Sequence, residues 1–182
     1  MPRGWTLFLD RDGVINRKAP EHEYITNWGE FEFLPGSLEA IRILHTLFDR
    51  IIVISNQRGI ARGLIRPADL EEIHQRMVAE VREQGGDLTA ILFCPHGLED
   101  HCSCRKPEPG MAYQAKEIHP EISFERSVVI GDAMSDMGFA ERIGAVGLFI
   151  GEPEAGCENR SFPSLLDAAK WFAERGTGSL SE

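Results

Sequence analysis

Five short apolar runs punctuate the chain. Thr6-Leu7-Phe8-Leu9, Ile51-Ile52-Val53-Ile54, Ala90-Ile91-Leu92-Phe93, Val128-Val129-Ile130 and Ala145 to Ile150 each have the length of a buried strand. Between them the apolar positions change to a helical period. Leu38, Ile41, Leu44 and Phe48 mark one amphipathic face, and Leu70, Ile73, Met77 and Val81 a second. Leu165, Leu166, Ala169 and Phe172 mark a third, in a helix predicted over Ser164 to Arg175. Shorter helices are predicted over Gly110 to Glu117 and, following Asp136, through Ile143. The punctuation agrees: Ser37 is placed to cap the first helix, Pro67 suits the first turn of the second, and Gly85-Gly86 ends it. Strands alternating with helices predict an α/β three-layer sandwich with a mainly parallel sheet of five or six strands. The connection from Arg17 to Phe33 has aromatics but no period, and reads as a structured loop over the mouth of the site at the strands' carboxyl ends.

At 182 residues the chain suits one domain, expected over residues 1–176 with a frayed tail over 177–182. Its net charge of -10 argues against nucleic acid or an anionic membrane as partner, since both require a basic face. No apolar run is long enough to span a bilayer, and Met1 to Trp5 leads straight into the first strand with no secretory pattern. A cytoplasmic location is expected. No seam for a second copy is evident, so a monomer is expected.

The strands end in reactive groups. Asp10 and Asp12 follow the first; residues i and i+2 of an extended segment share a side, so both carboxylates face one volume at the strand's carboxyl end. Two carboxylates so close require a proton or a cation between them, and Mg²⁺ is the simplest hard cation for oxygen ligands. Ser55 and Asn56 follow the second strand, with Gln57, Arg58 and Gly59 in a glycine-punctuated turn whose hydroxyl, amide and backbone N–H groups can hold phosphoryl oxygens, so Asn56, Gln57 and Arg58 are candidates for binding substrate. Arg105 and Lys106 close the loop after the third strand, and Asp132 and Asp136 follow the fourth. In a parallel sheet these ends lie on one edge. Such a set suits phosphoryl transfer to a carboxylate: Asp10 as nucleophile, Asp12 as acid and base, Ser55 and Lys106 on the phosphoryl oxygens. Taken alone, each short motif equally describes a solvated turn.

A second cluster lies in the loop after the third strand. Cys94-x-His96 and, five residues on, Cys102-x-Cys104 supply three thiolates and an imidazole, a closed tetrahedral set of the kind that holds structural Zn²⁺. The expected role is to pin the loop presenting Arg105 and Lys106. His101 is the alternative imidazole, and Cys157 stands apart as a free thiol.

Asp10-Arg11-Asp12-Gly13, Ile54-Ser55-Asn56-Gln57, Arg105-Lys106-Pro107 and Gly131-Asp132-x-x-x-Asp136 occur in the order of the haloacid dehalogenase-like phosphatases, which the chain resembles over most of its length. The resemblance implies a Rossmann-like fold and Mg²⁺ held by the Asp10 side chain, the Asp12 backbone carbonyl and Asp132. It also implies Ser55 and Lys106 on the phosphoryl group, with Asp136 behind the metal or beside Lys106. The intervals between motifs leave no room for a cap domain. The zinc loop is similar to that of two groups in the family, the heptose 1,7-bisphosphate 7-phosphatases and the histidinol-phosphate phosphatases. Ser55 to Gly63 and Phe31 to Gly36 resemble the first group, and the short Cys-His-Cys-Cys loop the second. Both groups commonly carry a basic residue where this chain has Ala133, which leaves Arg105 as the candidate for a distal phosphate, with Arg58 and Lys18 behind it.

The expected function is therefore a Mg²⁺-dependent phosphatase of a small phosphorylated metabolite, with heptose 1,7-bisphosphate cleaved at C7 as first choice and histidinol phosphate as second. A catalytically silent zinc-containing scaffold and a nucleic-acid 3′-phosphatase are the rivals. The first would be expected to have lost one of Asp10, Asp12, Ser55, Lys106 or Asp132, and the second requires a basic stripe that the chain lacks.

Overall fold

The computed structural model describes residues 4–152 and 160–176. Six strands form one parallel sheet: β1 (Thr6–Leu9), β2 (Arg50–Asn56), β3 (Ala90–Cys94), β4 (Ser127–Gly131), β5 (Val146–Ile150) and β6 (Ser161–Phe162), in the order β3-β2-β1-β4-β5-β6. The helices are α1 (Ser37–His45), α2 (Arg58–Ala61), α3 (Pro67–Glu83), α4 (Gly110–Ile118), α5 (Met134–Ile143) and α6 (Leu165–Arg175). β1 is central, which buries it on both faces and accounts for its unbroken apolar run.

Alternation along the central strands divides the core in two. Leu7, Leu9, Val53 and Ile130 face α1, α3 and α6; Phe8, Ile52, Ile54 and Val129 face α4 and α5. Phe8 meets Phe139 of α5 edge to face at 6.0 Å. Each such side chain, closed off from water, contributes roughly 1.5–3 kcal/mol. This two-sided packing fixes the register of β1 and so the positions of the polar residues that follow it.

The expected helices form, with local differences. Ser37 does not cap α1; it is the first helical residue, and Gly36 before it turns the chain at φ 78°. A Cβ on Gly36 would stand 2.8 Å from Leu166 Cδ2, so the turn packs against α6 and leaves the Ser37 side chain buried. Ser164 does cap α6, accepting from Asp167 N at 3.2 Å. Arg58 to Ala61 closes into one helical turn where the sequence reads as an irregular one. β6, two residues long, is too short to leave a periodic signal, and forms because Ser161 and Phe162 align with Phe149 and Ile150.

The loop over residues 17–33 is tied down at both ends. Arg17 pairs with Glu32, Leu34 N donates to Ile15 O at 2.9 Å, and Trp28 stacks on Phe31 at 5.0 Å. Among the described residues the β1–β2 interval otherwise holds only a 3-10 turn and α1, and the β2–β3 interval only α2 and α3. No described helix is long and apolar enough to cross a membrane. Cys157 and the tail over 177–182 lie outside the described residues.

Candidate active site

Asp10 continues the sheet one residue past β1, its N–H donating to Ile130 O at 2.9 Å. The chain then turns tightly. Arg11 O accepts from the backbone N–H of Ile15 and Asn16, and Gly13 takes φ 90°. The turn leaves the Asp10 carboxylate buried at the sheet edge. Its Oδ1 accepts from Arg11 N at 2.8 Å and from Lys106 Nζ at 2.7 Å.

Lys106 is equally enclosed, and its ammonium forms a second ion pair with Asp136 Oδ1 at 2.6 Å while donating to Ile54 O at 3.1 Å. Burial pushes Asp10 up to about 6; Lys106 opposes this and Asp136 adds to it. Burial works against the charged form of Lys106, but Asp10 and Asp136 outweigh it and hold the ammonium above its ordinary range. Asp136, fully enclosed in the first turn of α5, therefore stands beside Lys106, one of its two expected positions. Its Oδ2 also accepts from Ala133 N at 3.1 Å, closing that turn.

Asp132 completes the acidic group. Carboxylate oxygens of Asp10, Asp132 and Asp136 lie within 4.8 Å of one another. Asp132 Oδ2 accepts from Lys18 Nζ at 3.0 Å, and Asp132 Oδ1 is buried with no hydrogen-bond partner. Burial and Asp10 raise the Asp132 pKa against the pull of Lys18. Both Asp136 oxygens are taken, by Lys106 and by Ala133 N, so the Asp10 and Asp132 carboxylates, with one buried Asp132 oxygen left unpartnered, are the donors that fit an oxygen-ligated divalent cation. Gly13 is needed to leave that space: a Cβ there would stand 2.0 Å from Asp132 Oδ2.

Asp12 leaves the turn in another direction. Its Oδ1 accepts from Arg11 Nη2 at 2.9 Å and Asn16 Nδ2 at 3.0 Å; its Oδ2 accepts from Arg11 Nε at 3.2 Å and Gln57 Nε2 at 3.0 Å. Ser55 Oγ lies 3.5 Å from the same Oδ2 and 2.7 Å from Gln57 Nε2. Burial raises the Asp12 pKa, but the Arg11 charge and these donors outweigh it, leaving the carboxyl below its ordinary value.

Of the remaining candidates, Asn56 clamps the loop that carries Lys106, with Lys106 N donating to Asn56 Oδ1 at 3.0 Å and Asn56 Nδ2 to Lys106 O at 3.2 Å. Gln57 is buried, spanning Ser55 and Asp12. Arg58 pairs with Glu99 at 3.3 Å. Arg105 lines a cavity of about 490 Å³ together with His101, Ser103, Lys106 and Glu108.

The loop after β3 brings the sulfurs of Cys94, Cys102 and Cys104 together with the His96 imidazole. Cys104 Sγ lies 3.0 Å from Cys94 Sγ and 3.6 Å from Cys102 Sγ, and His96 Nδ1 lies 3.2 Å from Cys104 Sγ and 3.5 Å from Cys94 Sγ. All four ligand atoms lie within 4.8 Å of one another, and the Cys94–Cys102 and Cys102–Cys104 pairs, at 3.5 and 3.6 Å, come near the roughly 3.8 Å edge of a tetrahedron with metal–sulfur bonds of about 2.3 Å, while the Cys94–Cys104 pair is closer together. Burial pushes the Cys94 thiol well above its usual range. It also opposes ionisation of Cys102, but backbone donors at Arg105 and Cys104 and the Cys94 thiol bring that residue down to about 7. Three sulfurs and one imidazole in this arrangement fit Zn²⁺.

Sequence reading missed Arg11, Asn16 and His74. Arg11 is only 1 % exposed, and beyond its two bonds to Asp12 its Nη1 lies 3.2 Å from His74 Nε2 on α3. A signal was present: an arginine flanked by two site carboxylates in a buried turn needs acceptors of its own. His74 left none, since it adjoins Ile73 in the apolar stripe of α3.

A six-stranded parallel sheet with an acid-rich carboxyl edge and a buried lysine defines a hydrolase of the haloacid dehalogenase-like class. The HAD-hydrolase-like family model matches residues 103–154. The D-glycero-alpha-D-manno-heptose-1,7-bisphosphate 7-phosphatase of Mycobacterium bovis is 35 % identical over 171 residues, covering 91 % of this chain and 90 % of the relative. The D-glycero-beta-D-manno-heptose-1,7-bisphosphate 7-phosphatase of Pseudomonas putida is 43 % identical over 139 residues, covering 76 % and 78 %. Among solved structures, D,D-heptose 1,7-bisphosphate phosphatase from B. bronchiseptica, complexed with magnesium and phosphate, superposes with a TM-score of 0.83 at 30 % identity, covering 94 % of this chain and 99 % of that one. The chain belongs to the haloacid dehalogenase-like phosphatase family, the phosphoric monoester hydrolases that include these heptose-bisphosphate enzymes.

Proposed function

We propose that this protein, as a single domain without a cap, removes the C7 phosphate of D-glycero-D-manno-heptose 1,7-bisphosphate through an aspartyl-phosphate on Asp10. The observation that carries the reading is the Lys106 ammonium between Asp10 and Asp136 with Asp132 alongside, at the sheet edge where α/β folds bind ligands. The near full-length likeness to heptose-bisphosphate phosphatases supports the substrate.

In the first step an Asp10 carboxylate oxygen attacks phosphorus, and the bond to the leaving oxygen breaks. Asp12 gives that oxygen a proton. A phosphate dianion arriving beside Asp12 favours the protonated carboxyl and so opposes the pull of Arg11. In the second step Asp12 takes a proton from water as the water attacks the phosphorus of the Asp10 acyl phosphate, and inorganic phosphate leaves. Lys106 and the Ser55 hydroxyl hold the phosphoryl oxygens. Asp10, Asp132 and the Asp12 carbonyl would hold Mg²⁺, which when bound would neutralise charge on the phosphoryl group. Arg105 on its cavity wall is assigned to the substrate's second phosphate, with Arg58 behind it, while Asn56 holds the Lys106 loop and Gln57 positions Ser55 and Asp12. Cys94, His96, Cys102 and Cys104 would hold Zn²⁺ with four protein ligands, a closed set whose role would be to hold the loop.

The test is phosphate release at fixed Mg²⁺ from both anomers of the heptose bisphosphate and from histidinol phosphate, with Asp10→Asn as the blank. Preference for either bisphosphate upholds the reading. Preference for histidinol phosphate overturns the substrate, and no release from any of them overturns the activity.

A further inference from the structure

We infer that His74 is a positioning residue: from α3, on the far side of Arg11, it fixes the guanidinium that orients the Asp12 carboxylate. The inference rests on the phosphatase reading above and extends the site to a helix whose stripe otherwise serves the core.

Arg11 is the largest fully buried side chain among the described residues. A guanidinium carries five N–H donors in a rigid plane and no acceptor, so each buried N–H that lacks a partner is costly. Two of its donors grip Asp12 side-on, Nη2 on Oδ1 at 2.9 Å and Nε on Oδ2 at 3.2 Å. The edge beyond them meets His74, with Nη1 3.2 Å from Nε2. Because arginine only donates, His74 Nε2 accepts and the imidazole proton sits on Nδ1. The ring is 8 % exposed and rests against Phe93 of β3, centroids 5.8 Å apart. Its position is thus set by α3 and β3 together.

Burial first, and the Arg11 charge second, push His74 down to about 3, with Asp12 opposing. The ring is therefore a neutral acceptor at pH 7. The consequence is a chain of contacts, α3 to His74 to Arg11 to Asp12, that fixes where the two Asp12 oxygens point. A leucine at position 74 would suit the stripe of Leu70, Ile73 and Met77, but would leave Nη1 of Arg11 without its acceptor and the guanidinium free to tilt. Asp12 would still carry a proton, presented at the wrong angle to the leaving oxygen, and misplacement on that scale has large kinetic effects.

The test exploits leaving groups. p-Nitrophenolate departs with little protonation, whereas an alkoxide needs the proton that Asp12 gives. kcat/KM reports the step that breaks the ester bond, so it is measured for p-nitrophenyl phosphate and for the heptose bisphosphate in wild type, His74→Leu and His74→Gln. The Leu variant is expected to lose roughly 10–100-fold on the alkyl ester and less than about 3-fold on the aryl ester, part of the usual contribution of a general acid. Glutamine places an oxygen near the Nε2 position and is expected to restore the alkyl ester to within about 3-fold. Equal losses on both esters, no loss, or a Gln variant no better than Leu overturns the inference. Should the Leu variant not fold, ¹⁵N imidazole shifts of the wild type decide: a neutral Nδ1–H ring at pH 7 supports the contact, and an Nε2–H or doubly protonated ring overturns it. A wild type inactive on both esters overturns the phosphatase reading itself, while the imidazole shifts still decide the Arg11–His74 contact.

Discussion

Lys106 Nζ stands 2.7 Å from Asp10 Oδ1, a pairing made across 96 positions of sequence. It joins the end of β1, at the centre of the sheet, to the loop that the cysteine cluster folds back from β3. Asp136 closes the other side of the ammonium. The nucleophile of the proposed reaction thus depends for its charge state on a loop belonging to a different part of the chain.

Removing that ammonium leaves two buried carboxylates facing each other. Lys106→Met is expected to cost about 3–5 kcal/mol of stability, the usual penalty for orphaning a buried charge, and to lower kcat by roughly 10²–10³-fold. Denaturant titration and steady-state kinetics check the two effects. Lys106→Met together with Asp136→Asn is expected to recover part of the stability and none of the activity.

Gly13→Ala would set a Cβ into the space of the Asp132 carboxylate, 2.0 Å from Oδ2, at a backbone φ of 90° that alanine resists. The expected result is a chain destabilised by about 1–3 kcal/mol, as backbone strain of this kind costs, with a Mg²⁺ requirement raised at least about tenfold. The Mg²⁺ dependence of phosphate release reads the second effect, and an unchanged half-saturating concentration would remove Asp132 from the cation site.

Metal analysis of the purified protein is expected to find one Zn²⁺ per chain. Its removal by a chelator should release the segment from Cys94 to Cys104, lower the melting temperature and abolish turnover, because Lys106 lies two residues past the last sulfur. Cys104→Ser, which replaces a buried sulfur ligand, is expected to bind zinc at least about 10-fold more weakly. Full activity in zinc-free protein would sink the structural role.

His74 makes the fold sensitive to acid. Its pKa falls from 6.5 to about 3 on folding, through burial and then Arg11. A depressed folded value means stability present above pH 6.5 and lost as pH falls toward 3. Between pH 6.5 and pH 4.5 the loss from this one group is on the order of 2–3 kcal/mol. Arg11 and Asp12 are the charged groups that face the ring. Urea titrations at pH 7 and pH 4.5 should therefore show a smaller drop for His74→Gln than for wild type, and equal drops would place the His74 pKa near its ordinary value.

Much of the architecture was legible because buried parallel strands and amphipathic helices each leave a period in the chain. The apolar run of β1 and the stripes of α1, α3 and α6 recur in the structure within a residue or two. Where legibility failed, a local choice had been settled by a distant neighbour. Ser37 has the chemistry of a cap, yet the helix starts one residue earlier, from Gly36, whose left-handed turn lies against Leu166 of α6 where a Cβ would not fit. β6 exists only because β5 offers an edge to pair with.

For the candidate site the division is sharper. Sequence alone determined the types of group and their order at the strand ends: Asp10 and Asp12, Ser55, Lys106, Asp132, and the spacing of three thiols and an imidazole. Those follow from the two-residue alternation of extended chain and from the ligand count of a metal. Only the tertiary structure decided what each group does with its charge. It spends Gln57 on Ser55 and Asp12, gives Lys106 to both Asp10 and Asp136, turns Asp12 toward Arg11, and draws His74 out of a core stripe to accept from that arginine. The reason is physical: a buried charge must find its partner wherever packing has brought one, and no periodicity in the chain records who that partner will be.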